Sequence, residues 1–213
     1  MKITRALFGV AIALSATLTP AAHASTIVHQ AMAIKAAEGY QCTLTVVDET
    51  TAYTALHCGF GNWRVGDTIR SLDTGQPLGT ITALGSDLAQ PLDAVQIALD
   101  PDVQVADEVA RGDSAALRTG DIVQFQAPGN YAVGVITEDV PRYVSVGSNL
   151  YPSLLINSNV VTYAGNSGGP LMDEEGNVVA VLSAGNQEDN SLFTPLHLIE
   201  EGFGEHSRDT RSS

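Results

Sequence analysis

The sequence predicts an all-β protein built as a barrel or a sandwich, and three observations support that prediction. The 213 residues are 44% hydrophobic and only 16% charged, which is enough apolar material for one or two packed cores. The apolar segments are short, rich in β-branched residues and often alternate with a period of two. Twenty glycines and nine prolines supply turn signals between them. Many short strands with glycine-rich turns are typical of barrels and sandwiches.

The strand signals fall into two halves of the chain. A polar stretch at residues 100–121 has few β-branched residues and is the predicted linker. The predicted domains are residues 25–105 and 106–204, each of a size suited to a small barrel. A short helix is predicted at residues 196–201, ended by Gly202, and a polar tail at residues 205–213. The predicted strands are residues 42–47, 52–56, 79–84, 94–99, 122–126, 132–137, 154–156, 160–163 and 178–182.

The first 24 residues have the layout of a secretory signal peptide. Lys2 and Arg5 form a short basic region, and residues 6–18 are apolar and uncharged. Small residues before the predicted cleavage site place the cut after Ala24. A membrane-spanning helix needs about 20 apolar residues, so the run is too short for an anchor. We therefore expect a mature chain that is secreted, outside the cell or in the periplasm or cell envelope.

The charge balance excludes two classes of partner. Aspartate and glutamate number 24 against 10 lysines and arginines, a net charge of -14. Nucleic-acid phosphates and anionic membrane surfaces both require clustered Lys and Arg. We therefore expect no nucleic-acid partner, and no membrane association after signal removal.

Cys42 and Cys58 are the two cysteines, and both lie in the part of the chain predicted to be exported. Two cysteines are too few for a cysteine-only zinc site. An oxidising compartment permits a disulfide between them, whereas two buried free thiols are the alternative. Because the chain is predicted to be exported and offers one possible pair, we predict the disulfide.

A glycine-rich loop indicates nucleophilic chemistry. Residues 165–171 read Gly-Asn-Ser-Gly-Gly-Pro-Leu, so three glycines surround Ser167 between two predicted strands. Glycine permits positive φ and the close approach of another chain, and successive N–H groups in such a turn can bind an anion. A serine in that position suits acyl transfer, which needs an oxyanion hole. An ordinary glycine-rich turn is the alternative.

A serine hydroxyl is a weak nucleophile and needs a base. His57 ends a predicted apolar strand and is followed directly by Cys58. The other histidines of the mature chain lie in the N-terminal lead, on the predicted helix and in the polar tail; they are His29, His197 and His206. We therefore predict His57 as the base.

The base needs a carboxylate that fixes its tautomer and stabilises the imidazolium. Asp93 stands at the start of an apolar strand, where a carboxylate is poorly placed to be free in solvent. Asp87 is the alternative acid.

Together these motifs resemble the chymotrypsin-like serine peptidases. TALHC contains His57, LDAVQIAL contains Asp93 and GNSGGPL contains Ser167, in that order, and the resemblance covers most of residues 40–200. It is closest to small secreted bacterial members of the streptogrisin and α-lytic type. It implies two six-stranded antiparallel β-barrels with the site in the cleft between them. It also implies a serine endopeptidase that acts on proteins or peptides through an acyl-enzyme.

The resemblance assigns roles to individual residues. Ser167 is the nucleophile, His57 is general base and then general acid, and Asp93 orients His57. The backbone N–H groups of Gly165 and Ser167 form the oxyanion hole. No metal or organic cofactor is implied, and we expect a monomer.

The resemblance also implies a substrate-binding region. Ser183, Ala184 and Gly185 match the strand that pairs with the substrate backbone. Val161 lies at the base of the specificity pocket, and Ser191 is a further pocket residue. None of these residues supplies a carboxylate for Arg or Lys, so we expect a medium or large apolar residue before the scissile bond.

Asn166 departs from the pattern of the animal members, where an aspartate pairs with a freshly cut N-terminus. A neutral amide cannot repay the burial of an ammonium group, so we expect activity without an N-terminal cut beyond signal removal. The GNSGGP version also occurs in HtrA-like proteins, which usually add a PDZ domain for which this chain has no room. An HtrA-like quality-control protease and a catalytically inactive binding module on the same fold are the competing interpretations.

Overall fold

The structure, a computed structural model, describes residues 25–147 and 151–212. The predicted signal peptide lies outside the described residues. Within these ranges one α-helix, α1, spans Leu196–Ser212, and short 3-10 turns span Ala37–Gly39, Leu56–Gly59 and Gly85–Asp87. The strands are β1 (Thr26–Val28), β2 (Ala33–Lys35), β3 (Gln41–Thr43), β4 (Thr45–Val46), β5 (Thr51–Thr54), β6 (Thr68–Arg70), β7 (Pro77–Leu84), β8 (Val95–Leu99), β9 (Val103–Val105), β10 (Ile122–Ala127), β11 (Asn130–Val146), β12 (Tyr151–Ser158), β13 (Pro170–Met172), β14 (Val178–Gly185) and β15 (Ser191–Pro195).

The N-terminal half forms a curved antiparallel wall. Its main sheet has the strand order β4-β5-β8-β7-β6, and β2 pairs with β3, which continues into β4 after a break at Leu44. A bridge from Ile34 on β2 to Ser71, next to β6, links the two sheets. With β3 and β4 taken as one interrupted strand, the wall has six strands around a buried aliphatic core that includes Ile69, Ile81 and Ile97.

The C-terminal half is a closed barrel with the strand order β10-β11-β12-β15-β14-β13. Phe125 on β10 and Phe193 on β15 meet edge to face inside it, with ring centroids 5.9 Å apart. The predicted all-β class with two antiparallel barrels is therefore confirmed.

A third apolar cluster lies where the two barrels and α1 meet. Leu196, Ile199 and Phe203 project from one face of α1 and are buried there, and the ring of Phe203 stacks on Tyr53 of β5 at 6.3 Å. The predicted end of the helix at Gly202 is wrong, since α1 continues to Ser212. A Cβ at position 202 would lie 2.8 Å from a methyl group of Leu88, so this glycine allows close packing instead of ending the helix.

Arg111, in the predicted linker, bridges the N-terminal barrel and α1. Its guanidinium contacts Asp48 at 2.5 Å, next to the N-terminal barrel, and Glu200 of α1 at 2.6 Å. Burial alone would raise the pKa of Asp48, but hydrogen bonds from the Thr50 backbone and Arg111 outweigh burial and lower the pKa to about 2. Because all three side chains are partly exposed, we assign this cluster a modest share of the stability.

Several predicted strand boundaries differ from the structure. Residues 160–163 form no strand, although Val160 and Thr162 are buried, because no neighbouring strand pairs with them. The strand predicted at 132–137 is the middle of the much longer β11, which continues past two irregularities in its pairing with β12. The predicted linker contains β9, which pairs in parallel with β1. Among the described residues, no helix is long and apolar enough to cross a membrane.

The predicted disulfide between Cys42 and Cys58 is confirmed. It joins β3 to the 3-10 turn that contains His57. A double Cys42→Ser/Cys58→Ser variant should lose roughly 3 kcal/mol of unfolding free energy, because its unfolded chain is less restricted. Urea denaturation of the oxidised wild type and the variant measures the difference. Equal midpoints in the two proteins would contradict the prediction.

Candidate active site

The topology brings His57, Asp93 and Ser167 to one place. β5 and β8 are neighbours, with Thr54 opposite Val95, so the residues just after β5 and just before β8 lie side by side. His57 sits in the 3-10 turn that follows β5, and Asp93 lies two residues before β8. Ser167 comes from the other barrel, in the loop between β12 and β13.

The three side chains form a continuous hydrogen-bonded chain. Ser167 Oγ lies 2.9 Å from His57 Nε2, and His57 Nδ1 lies 2.8 Å from Asp93 Oδ2. The backbone N–H of His57 also donates to Asp93 Oδ1 at 2.8 Å, so both carboxylate oxygens accept from one residue. Because a carboxylate only accepts, Nδ1 carries the proton and leaves Nε2 free to accept from the serine hydroxyl.

The electrostatics of the histidine follow from this geometry. Asp93 is fully buried, while the side chain of His57 retains 19% of its exposure. Burial alone would lower the pKa of His57, but the charge of Asp93 and its hydrogen bond outweigh burial and raise the pKa above the ordinary value of 6.5. Asp87, the alternative acid, is exposed and bonds only to its neighbour Ser86 among the described residues.

The N-terminal barrel holds the serine loop in place. Thr43 N–H donates to the carbonyl of Ser167 at 2.8 Å, and the hydroxyl of Thr45 donates to the carbonyl of Gly168 at 2.6 Å. Gly168 has a φ of +86°, and a Cβ there would lie 2.2 Å from Thr54 Oγ1. Only glycine adopts this left-handed backbone readily and leaves room for Thr54, so Gly168 is needed for the contact between the barrels.

The serine loop presents two backbone N–H groups at the candidate site. Gly165 has a φ of +89°, and its carbonyl accepts from the hydroxyl of Thr43 at 3.0 Å. Among the described residues, no carbonyl or side chain accepts from the N–H groups of Gly165 and Ser167. These two donors are the ones that the resemblance assigns to the oxyanion hole.

Asn166 is buried and is held by a residue that sequence reasoning missed. Its Oδ1 accepts from the backbone N–H of Tyr163 at 3.0 Å and from Asn130 Nδ2 at 2.8 Å. Asn130 Nδ2 also donates to the carbonyl of Val161 at 3.0 Å. One amide at the turn between β10 and β11 thus fixes both flanks of the serine loop. The separation of 36 residues leaves no local signal for this contact.

Asn130→Ala should lower kcat by about 10- to 100-fold with a smaller change in KM, because displacing the loop would misalign the N–H groups that the resemblance assigns to the oxyanion hole. Steady-state kinetics on one peptide substrate measures both constants. Asn177→Ala is the matched control, since Asn177 makes its hydrogen bonds to Asp173 in a turn of the same barrel. Equal kcat for wild type and Asn130→Ala would contradict the positioning role of Asn130.

Ser153 is a second residue that sequence reasoning missed, and it holds the backbone of Asp93. The backbone N–H of Asp93 donates to Ser153 Oγ at 2.9 Å. That hydroxyl lies 3.3 Å from Thr194 Oγ1, which in turn lies 3.0 Å from Ser183 Oγ. All of these residues are buried, so the Ser183 side chain points into the protein and not toward a substrate.

The residues assigned to the specificity pocket lie on two facing segments. Gly185 and Ser191 are opposite each other on β14 and β15, and Ser191 Oγ donates to the carbonyl of Val160 at 2.8 Å. Thr162 Oγ1 lies 2.8 Å from Ser191 Oγ, and a Cβ at Gly185 would lie 2.3 Å from Thr162 Oγ1. Thr162, which sequence reasoning did not select, therefore narrows the space between the segments.

The fold and this Ser-His-Asp arrangement define the class of chymotrypsin-like serine hydrolases, with two β-barrels and a triad drawn from both. The family model described as Trypsin matches residues 19–199, and the chain belongs to this family. The predicted resemblance is therefore confirmed. Comparison with curated protein sequences finds no match.

Solved structures of bacterial proteases share the fold. Protease A of Thermobifida fusca superposes with a TM-score of 0.65 at 16% identity, covering 84% of this chain and 97% of that one. Cellulomonas bogoriensis chymotrypsin superposes with a TM-score of 0.63 at 19% identity, covering 84% of this chain and 96% of that one. The HtrA-type protease AlgW superposes with a TM-score of 0.54 at 21% identity, covering 78% of this chain but only 51% of that one.

The described residues contain no group of three or more His, Cys, Asp or Glu side chains placed to hold a metal ion.

Proposed function

We propose that the protein is an active serine endopeptidase in which Ser167 is the nucleophile, His57 the general base and Asp93 the residue that orients the base. The observation that supports this most strongly is the unbroken hydrogen-bonded chain from Ser167 Oγ through the His57 ring to Asp93, at 2.9 Å and 2.8 Å. A binding module that had lost activity would be under no constraint to keep both distances.

The reaction follows from the positions of these atoms. Ser167 Oγ attacks the peptide carbonyl carbon while its proton passes to His57 Nε2. The N–H groups of Gly165 and Ser167 stabilise the oxyanion that forms. His57 then protonates the departing amine as the C–N bond breaks, leaving an ester on Ser167. Water, deprotonated by the same nitrogen, hydrolyses the ester and regenerates the serine.

The end of β14 at residues 183–185 is the proposed partner of the substrate backbone, with Ala184 and Gly185 half-buried or exposed. An uncharged side chain is expected before the scissile bond. Thr162 and Ser191 hydrogen-bond each other and the backbone, so they offer no free charge to a basic residue. Their close approach favours a small or medium apolar side chain, which is smaller than the medium or large residue predicted from the sequence.

The function is tested with a fluorophosphonate probe on the purified mature protein. Stoichiometric labelling that is absent in a Ser167→Ala variant supports a competent nucleophile. Cleavage of a peptide library then defines the residue before the scissile bond. Lack of labelling would contradict the proposed activity. Strong selectivity for Arg or Lys would contradict the proposed uncharged pocket.

We also propose that the chain is exported by its N-terminal segment and acts as a secreted monomer with barrel domains 25–105 and 106–204. The disulfide supports an oxidising compartment. The similarity to an HtrA-type protease is a similarity of fold, and it does not favour a quality-control role.

No further N-terminal cut should be needed for activity. The buried Asn166 accepts hydrogen bonds from the Asn130 amide and the Tyr163 backbone. These neutral donors hold the loop without the ammonium group of an inserted N-terminus. A new terminus near residue 40 would also have to displace β1 and β2, which pair with β9 and β3. Protein beginning at Ser25, with a free or an acetylated terminus, should have equal kcat/KM. Activity that appears only after a defined cut between residues 25 and 40 would contradict this.

A further inference from the structure

Three buried hydroxyl groups lie behind the triad and take no part in the proposed reaction. They belong to Ser153 on β12, Thr194 on β15 and Ser183 on β14, and none of these residues is more than 3% exposed. The three strands are consecutive neighbours in the C-terminal barrel. Thr194 Oγ1 lies 3.3 Å from Ser153 Oγ and 3.0 Å from Ser183 Oγ. The hydroxyls therefore form a line across three strands, and Ser153 connects that line to Asp93.

The direction of these hydrogen bonds is fixed by the backbone of Asp93. An N–H group can only donate, so Ser153 Oγ is the acceptor at 2.9 Å. The hydroxyl has one hydrogen, and Thr194 Oγ1 is its acceptor among the described residues. The hydrogen of Thr194 is then directed to Ser183 Oγ. Because buried polar groups need partners, each hydroxyl holds the next one in a single orientation.

The carboxylate of Asp93 receives no comparable support from the C-terminal barrel. Its two oxygens accept from the backbone N–H and from Nδ1 of His57, and no other donor reaches them among the described residues. Asp93 also precedes β8, so its own N–H takes no part in the pairing of that strand. The hydrogen bond to Ser153 is therefore the contact through which the C-terminal barrel holds this residue.

Each barrel thus holds a triad residue of the other. The N-terminal barrel binds the carbonyl of Ser167 through the backbone of Thr43, and the C-terminal barrel binds the N–H of Asp93 through Ser153. His57 contacts both triad partners at once. The two distances within the triad consequently depend on both of these contacts between the barrels.

We propose that Ser153 and Thr194 are positioning residues, which align Asp93 with His57 by fixing the backbone of Asp93 across the interface between the barrels. This inference rests on the proposed function, in which Asp93 orients the base. Without the Ser153 hydroxyl, the buried N–H of Asp93 has no acceptor, and the segment shifts to find one. Without the Thr194 hydroxyl, the hydrogen of Ser153 loses its acceptor, and Ser153 turns away from Asp93.

Ser153→Ala and Thr194→Val should each lower kcat by about tenfold and change KM by less than about twofold, because misalignment of the triad slows the reaction more than it weakens binding. Thr194→Ser keeps the hydroxyl and should stay within about threefold of the wild-type kcat. Steady-state hydrolysis of one peptide measures both constants. Ser71→Ala is the matched control, since Ser71 is also buried and accepts from a backbone N–H, that of Thr74, in the turn after β6. It should retain the wild-type kcat.

The pH profile separates a positioning role from a loss of stability. Among the described residues, Asp93 is the charged group that acts on the pKa of His57, and it raises that pKa. A displaced Asp93 raises it less, so the acidic limb of kcat/KM should move to lower pH in Ser153→Ala and Thr194→Val. A variant that only contains less folded protein loses rate at every pH, and its acidic limb stays in place.

Wild-type kcat in both Ser153→Ala and Thr194→Val overturns the inference, and so does a lower kcat with an unmoved acidic limb. A Thr194→Ser enzyme as slow as Thr194→Val also overturns it, because packing and not the hydroxyl would then be responsible. Urea denaturation checks folding, and if Ser153→Ala does not fold, the two Thr194 variants decide the question. If wild type neither cleaves a peptide nor reacts with a fluorophosphonate, the proposed function is overturned, and the inference with it.

Discussion

Ser167→Ala is expected to reduce kcat by on the order of 10⁴ to 10⁶ while the protein remains folded. Ser167 Oγ lies 2.9 Å from His57 Nε2, and in the proposed mechanism it is the atom that bonds to the substrate carbonyl. The change removes one oxygen atom from a partly exposed side chain, so the packing of the loop is preserved. The carbonyl of residue 167, which Thr43 binds, is also unaffected.

The measurement is steady-state hydrolysis of one peptide, with urea denaturation as the control for folding. Ser86→Ala is a matched variant, since Ser86 is an exposed serine whose hydroxyl bonds only to the neighbouring Asp87 among the described residues. It should retain wild-type activity. If the Ser167→Ala enzyme kept even a tenth of the wild-type rate, Ser167 would not be the nucleophile.

Asp93→Asn should lower the maximal rate by roughly 10⁴, because an amide can hold the His57 ring in the wrong tautomer. Both oxygens of Asp93 accept hydrogen bonds from His57, and an amide provides only one oxygen to accept them. The Asp93 side chain is fully buried, so no solvent molecule can replace the lost hydrogen-bond acceptor. Asp87→Asn is the control, since Asp87 is exposed and should tolerate the change.

The same variant has a defined effect on the pH profile. The base acts only when neutral, so kcat/KM falls as the pH drops through the pKa of His57. Asp93 raises that pKa through its charge and hydrogen bond, against the opposing effect of burial. Removing the charge should therefore move the acidic limb to lower pH as the plateau rate falls. An acidic limb that stays in place would show that Asp93 does not set the pKa of His57.

The sequence contained strong local signals for the strands and for the three motifs. Alternating apolar residues located β7, β8 and β10, since half-buried strands require that period. The same signal failed at residues 160–163, because an isolated extended segment shows the alternation of a strand without a pairing partner. Gly202 has the local signal of a helix stop, but close packing on Leu88 requires glycine inside the helix.

The residues that hold Asn166 and Asp93 in place could not be predicted from the sequence, because they lie far from them along the chain. Asn130 contacts Asn166 across 36 residues, and Ser153 contacts Asp93 across 60. Neither lies in a recognisable motif, and each is a common polar residue within or at the start of a strand. Their importance arises only when the barrels close and bring the strands together. The same holds for Thr162, whose contact with Ser191 of the proposed specificity pocket forms only in the folded chain.

The sequence by itself determined the all-β class, the family and the disulfide, because each depends on residue types within short segments or on a single possible pair. It also supplied the motifs that contain Ser167, His57 and Asp93. Only the tertiary structure decided which carboxylate meets the histidine, how Asn166 is held and where Thr162 meets Ser191. These relations depend on hydrogen bonds of about 3 Å between distant segments, and local residue patterns do not encode such distances.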